Sequence, residues 1–340
     1  MDTVLVTGVA GRVGTNLAVS LLKKGYKVRG LVMPGDPKAG KVKGMDIEEV
    51  VVDLRDLDGV MKATQGVDAV VHLAAAMGKY PGMTDRDYFD VNVTGTWDVV
   101  YAASQVAPNL KRLVFASTDA TYSAQQVKYL PMDEKHPQQP YAPYGMVKIL
   151  GEQIVNHFHR QVNMPTAICR FGTVMAGEQI LGVFTSGHAI GNLKGAQHRL
   201  SNLYIEGIKE PWKPIEQVAP DPKTLLIPRD MEGKPWIHNP TDVRDTVDGI
   251  ILSLEKDAAI GETFNILAAE GTRWDDAVLY IHEKTGRPYV EVKLPNYWAF
   301  YSDVSKARKM IGYNPQYDYR RMIDDALAFA AGKDVGVIPA

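Results

Sequence analysis

Tyr144 and Lys148 stand four residues apart. On a helix that spacing puts a phenol and an ammonium on one face. A phenol with a pKa of about 10 is a poor base at neutral pH, and a nearby cation and a positive nicotinamide ring both favour the phenolate and lower that pKa. Tyr144 then takes a proton from an alcohol during oxidation, or returns one to a carbonyl during reduction. In a chain with 16 tyrosines the pair alone is a weak signal. Its weight comes from Phe115-Ala116-Ser117-Thr118, which reads as the end of a strand, with Thr118 26 residues before Tyr144. Ligands bind at the carboxyl ends of strands in open α/β sheets. A hydroxyl there bonds the reacting oxygen and polarises it.

A second constellation is Thr7-Gly8-Val9-Ala10-Gly11-Arg12-Val13-Gly14, between a short apolar run and an amphipathic stretch. Glycines at Gly8, Gly11 and Gly14 suit a tight turn, a close backbone approach to a pyrophosphate, and close packing of helix on sheet. The helix opened by Arg12 and Val13 offers free N–H groups and a positive dipole end to phosphates. The strand–glycine–helix context marks a dinucleotide site. An acid at the end of the second strand would bind a ribose 2′-hydroxyl and select NAD. Leu31-Val32-Met33 holds none, while Arg12 can pair with a 2′-phosphate and Lys38 and Lys41 add positive field. This pattern favours NADP over NAD. Asp53, after the third strand, is placed to reach the adenine amino group, with Leu54 beside it. Ala74 and Ala75, after the fourth, are small enough for the cofactor to pass close.

The elements that must position these groups follow one alternating pattern. Strands are expected at Thr3–Val6, Lys27–Val32, Glu49–Val52, Ala69–Leu73, Leu113–Ala116 and Thr166–Arg170. Helices are expected over Gly14–Lys24, Asp56–Thr64, Asp85–Ser104 and Gly145–Asn163. Such alternation implies right-handed crossovers and a doubly wound parallel sheet of Rossmann type, with an α/β lobe appended. From Gly177 to Pro235 the pattern breaks into a Gly- and Pro-rich stretch, too long for a simple loop, which reads as a substrate-covering insertion. Trp236–His238 returns to strand and Thr241–Glu255 to helix. A strand at Phe264–Leu267, a helix capped by Thr272, a strand at Val290–Leu294 and two helices follow. The dinucleotide-binding domain is expected over residues 1–172 plus 236–255. The smaller lobe is expected over 173–235 and 256–340, with the site in the cleft between.

Composition narrows the function classes. The 340 residues carry a formal net charge of −2, which argues for neither nucleic acid nor an anionic membrane as partner. No apolar run reaches the roughly 18 residues that cross a bilayer. The chain enters a strand at once, with no basic leader, so a cytoplasmic protein is expected. Cys169, the one cysteine, leaves no internal disulfide and no zinc cluster of thiolates, and no metal site is expected.

Several ordered segments together resemble the extended short-chain dehydrogenase/reductase family, of the NAD-dependent epimerase/dehydratase kind. They are Thr7–Gly14, Asp53-Leu54, His72–Ala75, Asn92–Thr96, Ser117-Thr118, Tyr144–Lys148, Arg170, Trp236–His238, Phe264–Ile266, Ser302–Ala307 and Ile311–Pro315. The resemblance covers nearly the whole chain. It implies that Thr118, Tyr144 and Lys148 are the catalytic set, with Asn92 as a structural helper and Lys148 also holding the nicotinamide ribose. It implies a homodimer that pairs the Asp85–Ser104 and Gly145–Asn163 helices in a four-helix bundle.

Departures from the family's pattern sort the chemistry. Thr118-Asp119-Ala120 resembles the Thr-Asp-Glu of sugar-nucleotide dehydratases, but alanine stands where a glutamate would remove a carbon-bound proton. Dehydration is therefore not expected, and Asp119 is left as an acid or substrate contact. Arg170-Phe171-Gly172-Thr173 resembles Arg-x-x-Asn, with Thr173 at the asparagine. Lys234-Pro235 stands where an arginine would meet a diphosphate; Arg229 or Arg244 could substitute, but the role expected first for each is a helix-surface or loop ion pair. His238 lies on a strand expected to face the substrate, and Tyr122, Met175 and Trp212 are candidates for the pocket wall. The main expectation is an NAD(P)-dependent oxidoreductase of carbohydrate metabolism, interconverting an alcohol and a ketone on a small sugar-like, polyol or cyclic substrate. The alternatives are a nucleotide-sugar epimerase with retained cofactor and a cofactor-sensing regulator on the same fold.

Overall fold

The computed structural model describes residues 2–122, 127–197, 201 and 203–339. The first six strands are β1 (Thr3–Thr7), β2 (Lys27–Val32), β3 (Ile47–Val51), β4 (Ala69–His72), β5 (Arg112–Thr118) and β6 (Thr166–Phe171). With Glu262–Ile266 they form one seven-stranded sheet in the order Glu262–Ile266, β6, β5, β4, β1, β2, β3. Every pairing is parallel. β4, β5 and β6 are buried at every residue, as strands covered on both faces must be. The chain winds outward from β1 through β2 and β3, then returns to β4 and runs the other way. The switch point between β1 and β4 opens the crevice in which such sheets bind ligands.

The crossovers are α1 (Arg12–Lys23), α2 (Leu57–Thr64), α3 (Asp85–Phe89), α4 (Gly95–Val106) and α5 (Pro143–Val162). One face packs Leu17, Ala18 and Leu21 of α1 with Val247, Ile250 and Ile251 of the Val243–Glu255 helix. The other packs Val60, Val99, Val100, Val155 and Phe158 from α2, α4 and α5. The helix expected over Asp85–Ser104 is interrupted, because Asp90–Thr94 forms a π-helical turn between α3 and α4. Pro143 at the first position starts α5 two residues earlier than expected.

The stretch expected to be an insertion holds helices at Ile180–Val183, Ser186–Gly195 and Lys213–Val218 and a strand at Leu225–Arg229. That strand pairs in parallel with Tyr289–Lys293. A separate core gathers Phe184, Leu225, Leu226, Ile227, Trp236, Trp274 and Leu294, all essentially inaccessible. Thr272 does not cap the next helix. Thr272-Arg273 pairs antiparallel with Ile237-His238, and Arg273 takes the cap position without a side-chain bond. The edge strand Glu262–Ile266 belongs to the large sheet through β6, although sequence placed residues from 256 onward in the smaller lobe. Among the described residues no helix is long and apolar enough to cross a membrane.

Candidate active site

The glycine loop follows β1 and leads into α1. Gly8 has φ +69°, and a Cβ there would come within 2.9 Å of the Ala74 backbone. A Cβ on Gly14 would lie 2.2 Å from the Gly8 carbonyl oxygen, so this glycine is what lets α1 start against its own loop. At Gly11 the sole contact is the Gly8 oxygen at 3.2 Å. The space before the first turn of α1, at Gly11, Arg12 and Val13, is thus open to a phosphate. These residues fit a dinucleotide: a backbone cradle, small neighbours at Ala74 and Ala75, and the helix dipole behind it.

Arg12 does not project into that space freely. Its Nη1 donates to the Val174 carbonyl, while its buried Nε has no partner. Lys41 donates to the Pro339 carbonyl at 2.7 Å, and Lys38 is exposed. Asp53 is held by Arg55 through Nε at 3.0 Å and Nη2 at 2.7 Å, which pulls its pKa below the ordinary carboxylate range. Leu54 is buried, with its Cβ 2.8 Å from where one on Gly95 would lie. It sets the seat of α4 on the sheet.

Thr118 ends β5. Its Oγ1 donates to Asp119 Oδ1 at 3.3 Å and accepts from the Ala120 N–H at 3.2 Å. A Cβ on Gly145 would lie 2.4 Å from the Ala120 carbonyl oxygen. That close approach brings the start of α5, and with it Tyr144, to the end of β5. Lys148 follows one turn later, with Nζ 5.9 Å from the Tyr144 ring centroid and donating to the Ala116 carbonyl at 2.8 Å. Burial lowers the Lys148 pKa to about 8, and Glu152 pulls it back up. The lowered Tyr144 pKa expected from sequence belongs to a phenol beside both Lys148 and a nicotinamide ring. Burial, with Tyr88 and Asp119 close by, pushes it above its ordinary value, so the chain by itself holds a neutral phenol.

Asn92 sits on the π-helical turn. Its Oδ1 accepts from the Ala76 N–H at 3.0 Å, and its Nδ2 donates to the carbonyls of Tyr88 at 2.9 Å and Ala76 at 3.2 Å. It pins the segment that follows Ala74 and Ala75. π-Turns recur at functional sites because they reposition one side chain of a helix.

Glu152 was not singled out in the sequence, yet it continues the Tyr144–Lys148 face by one more turn. It takes both Arg170 Nε at 2.9 Å and Nη2 at 2.7 Å, together with Ser117 Oγ at 2.5 Å and Gln138 Nε2 at 2.8 Å. Arg170 also donates to Tyr122 Oη at 2.7 Å, and that phenol bonds Asn265. Arg170 and Tyr122 are therefore scaffold behind the site rather than its wall. His72 was named in the sequence only as part of the His72–Ala75 segment, without a role. It is inaccessible, bonded to Thr7 at 2.7 Å and Thr96 at 3.1 Å, and kept neutral by burial that lowers its pKa to about 3.

On the substrate side, Asp119 has its pKa raised to about 7, chiefly by burial. A Cβ on Gly172 would meet Asp119 Oδ2 at 3.0 Å, so Thr173 lies next along this wall. Thr173 Oγ1 and His238 Nε2 are 3.2 Å apart, and His238 Nδ1 is buried without a partner. Burial and His188 lower the His238 pKa to about 3. Its ring stands 5.1 Å from Trp298 and 5.9 Å from His188. The structure therefore joins two of the expected groups, Thr118–Tyr144–Lys148 and Asp119–Thr173–His238, at the carboxyl edge of the sheet.

A parallel sheet with a glycine cradle at its switch point and a Thr–Tyr–Lys set on the same edge defines a short-chain dehydrogenase/reductase-type enzyme. The sequence model of the NAD dependent epimerase/dehydratase family matches residues 4–266, and the chain belongs to that family. It is 26% identical over 347 residues to the "Uncharacterized UDP-glucose epimerase YtcB" of Bacillus subtilis, covering 96% of this chain and 97% of the relative. It is 28% identical over 356 residues to the "Bifunctional UDP-glucose 4-epimerase and UDP-xylose 4-epimerase 3" of Arabidopsis thaliana, covering 95% and 94%. A solved short-chain dehydrogenase/reductase superfamily protein of Agrobacterium tumefaciens, with bound NAD, shares 31% identity and a TM-score of 0.81, covering 98% of this chain and all of that one.

Proposed function

We propose that the protein epimerises a secondary alcohol of a carbohydrate through a transient ketone, using tightly held NAD. The observation that carries the chemistry is the approach of Gly145 to Ala120, which sets Tyr144 beside Thr118 with Lys148 one turn behind. The named relatives favour epimerisation over net oxidation. NAD is favoured over NADP because the solved relative carries NAD, and because Arg12 and Lys41 are engaged with the Val174 and Pro339 carbonyls.

A bound oxidised dinucleotide supplies the hydride acceptor and a positive ring that favours the Tyr144 phenolate. Tyr144 takes the hydroxyl proton as the carbinol carbon is oxidised, and returns it after the ketone has presented its other face. Thr118 donates to the reacting oxygen. Lys148 keeps positive charge beside the phenol. Asn92 is a positioning residue for the Ala74–Ala76 segment, and Asp119, Thr173 and His238 contact the substrate.

The test is the near-ultraviolet absorbance of the purified protein and of its reaction. Dinucleotide that copurifies, with an epimer formed and no net reduced nicotinamide, is the expected result. A cofactor-free protein that reduces NAD stoichiometrically would establish the second reading, a dehydrogenase. The pairing of Arg229 and Arg244 with carboxylates favours that reading, because a dehydrogenase has no need of a diphosphate clamp.

For domain organisation we propose a dinucleotide-binding part of residues 1–172 with 236–268, which includes the edge strand, and a lobe built mainly from 173–235 and 269–330. Trp97, 42% exposed, lies on α4 beside Leu150, Ile154 and His157 of α5. We read this face as the seat of a second copy in a cytoplasmic homodimer, for which sedimentation of wild type and Trp97→Glu is the test.

A further inference from the structure

We propose that the substrate held against Thr173 and His238 is a polyhydroxylated ring that carries no nucleoside diphosphate. This rests on the proposed function only in taking a secondary alcohol as the reacting group. A diphosphate is multiply anionic and accepts hydrogen bonds without donating. Binding it needs cationic donors with N–H groups to spare, bidentate arginines above all. Among the described residues, five arginines around the site, Arg12, Arg170, Arg229, Arg244 and Arg273, are already committed.

Arg229 gives Nε to Glu291 at 2.8 Å and Nη1 to Asp275 at 3.1 Å and the Gly233 carbonyl at 3.2 Å. Arg273 gives Nε and Nη2 to the same Asp275, at 3.1 and 2.8 Å. Arg244 gives Nε and Nη2 to Asp242 at 2.8 and 2.7 Å, meets Asp325 at 2.7 Å, and lies 3.7 Å from the Tyr317 ring centroid. Arg170 is locked to Glu152 behind the site, and Arg12 to the Val174 carbonyl. Drawing Arg229, Arg244 or Arg170 onto a phosphate leaves Glu291, Asp242 or Glu152 without its cation. Arg199 lies outside the described residues.

What the wall does offer is of another kind. His238 and His188 are held neutral by burial, so each ring presents one donor and one acceptor. Thr173 adds a hydroxyl. Trp298 stands against His238. Asp119 adds negative charge as pH rises. Groups that both donate and accept match hydroxyls, which do the same. Aromatic faces match the C–H surfaces of a ring. Negative charge and neutral imidazoles do not match a pyrophosphate.

The experiment is calorimetric titration of the purified protein with UDP and with UDP-glucose, beside the same titration of Arg229→Ala. The expected result is no UDP binding tighter than about 1 mM in either protein. A Kd of about 10 μM for UDP, weakened about tenfold or more in Arg229→Ala, would overturn the proposal. So would a comparable Kd that Arg229→Ala leaves unchanged, since another cation would then hold the diphosphate. Retained dinucleotide is read separately, in absorbance. A protein without NAD therefore fails the epimerase reading, while the UDP titration still decides this one.

Discussion

The two walls proposed for the cleft differ in how they would bind. The dinucleotide wall works with backbone: Gly8, Gly11 and Gly14 clear a space, and the first turn of α1 lines it with N–H groups. The proposed substrate wall is made of side chains, Asp119, Thr173, His188 and His238, drawn from four separate segments. Charge is also handled differently. On the first wall Lys148 is buried beside a carbonyl and a phenol, ready for a ligand. On the second, Arg229, Arg244 and Arg273 are each cancelled by carboxylates of the protein itself. A wall that recognises a cofactor shared by many enzymes can be built from geometry alone. A wall that recognises one substrate needs its own chemistry.

The largest test of this contrast is Tyr144→Phe. Turnover should fall roughly 100- to 10,000-fold while dinucleotide affinity, measured by calorimetry, stays at the wild-type value. A parallel loss of dinucleotide binding would show that the two walls are not separable. Glu152→Gln probes the scaffold behind both. It leaves Arg170 buried without a full counter-charge, which costs about 3–5 kcal/mol of stability in denaturant unfolding. A wild-type midpoint would mean that the buried pair does not hold the Tyr144–Lys148 face in place.

Gly11→Ala sharpens the claim about the first wall. A Cβ there meets one protein atom, so the melting temperature should stay within a few degrees while dinucleotide binding weakens about tenfold or more. Unchanged affinity would mean that the phosphates lie elsewhere.

The smallest effect is expected from Asp119→Asn on the second wall. The folded pKa of Asp119, about 7, exceeds its ordinary value of 3.8, so the folded state holds a proton that the unfolded chain has lost. The resulting penalty is absent below about pH 4, grows between the two values and is complete above about pH 7. The asparagine variant should melt about 2–5 °C higher at pH 8 and match wild type at pH 4. A pH-independent difference would mean that Asp119 is solvated.

The sequence by itself determined the alternating strands and helices and the glycine spacing, and it singled out Thr118, Tyr144 and Lys148 as the expected set. The first two depend on contacts between neighbours in the chain, or on a repeated unit whose handedness leaves one way to pack. The break in the Asp85–Ser104 helix escaped that reading. The π-turn around Asn92 is held by bonds to Ala76, 16 residues away. Glu152 has the spacing of a third member of the Tyr144–Lys148 face but was not singled out, because its partner Arg170 lies on β6 rather than on α5. The rise in the Tyr144 pKa that the chain produces by itself escaped that reading for the same reason. Sequence showed the lysine one turn away, but not the burial, nor Tyr88 and Asp119 converging from other elements. The pairing of Arg229 with Asp275 and Glu291 spans 46 and 62 residues. Spacing records what a residue can reach along its own helix or strand. Only the tertiary structure decides which distant charge reaches it first, and on that depends whether an arginine is free to bind a substrate.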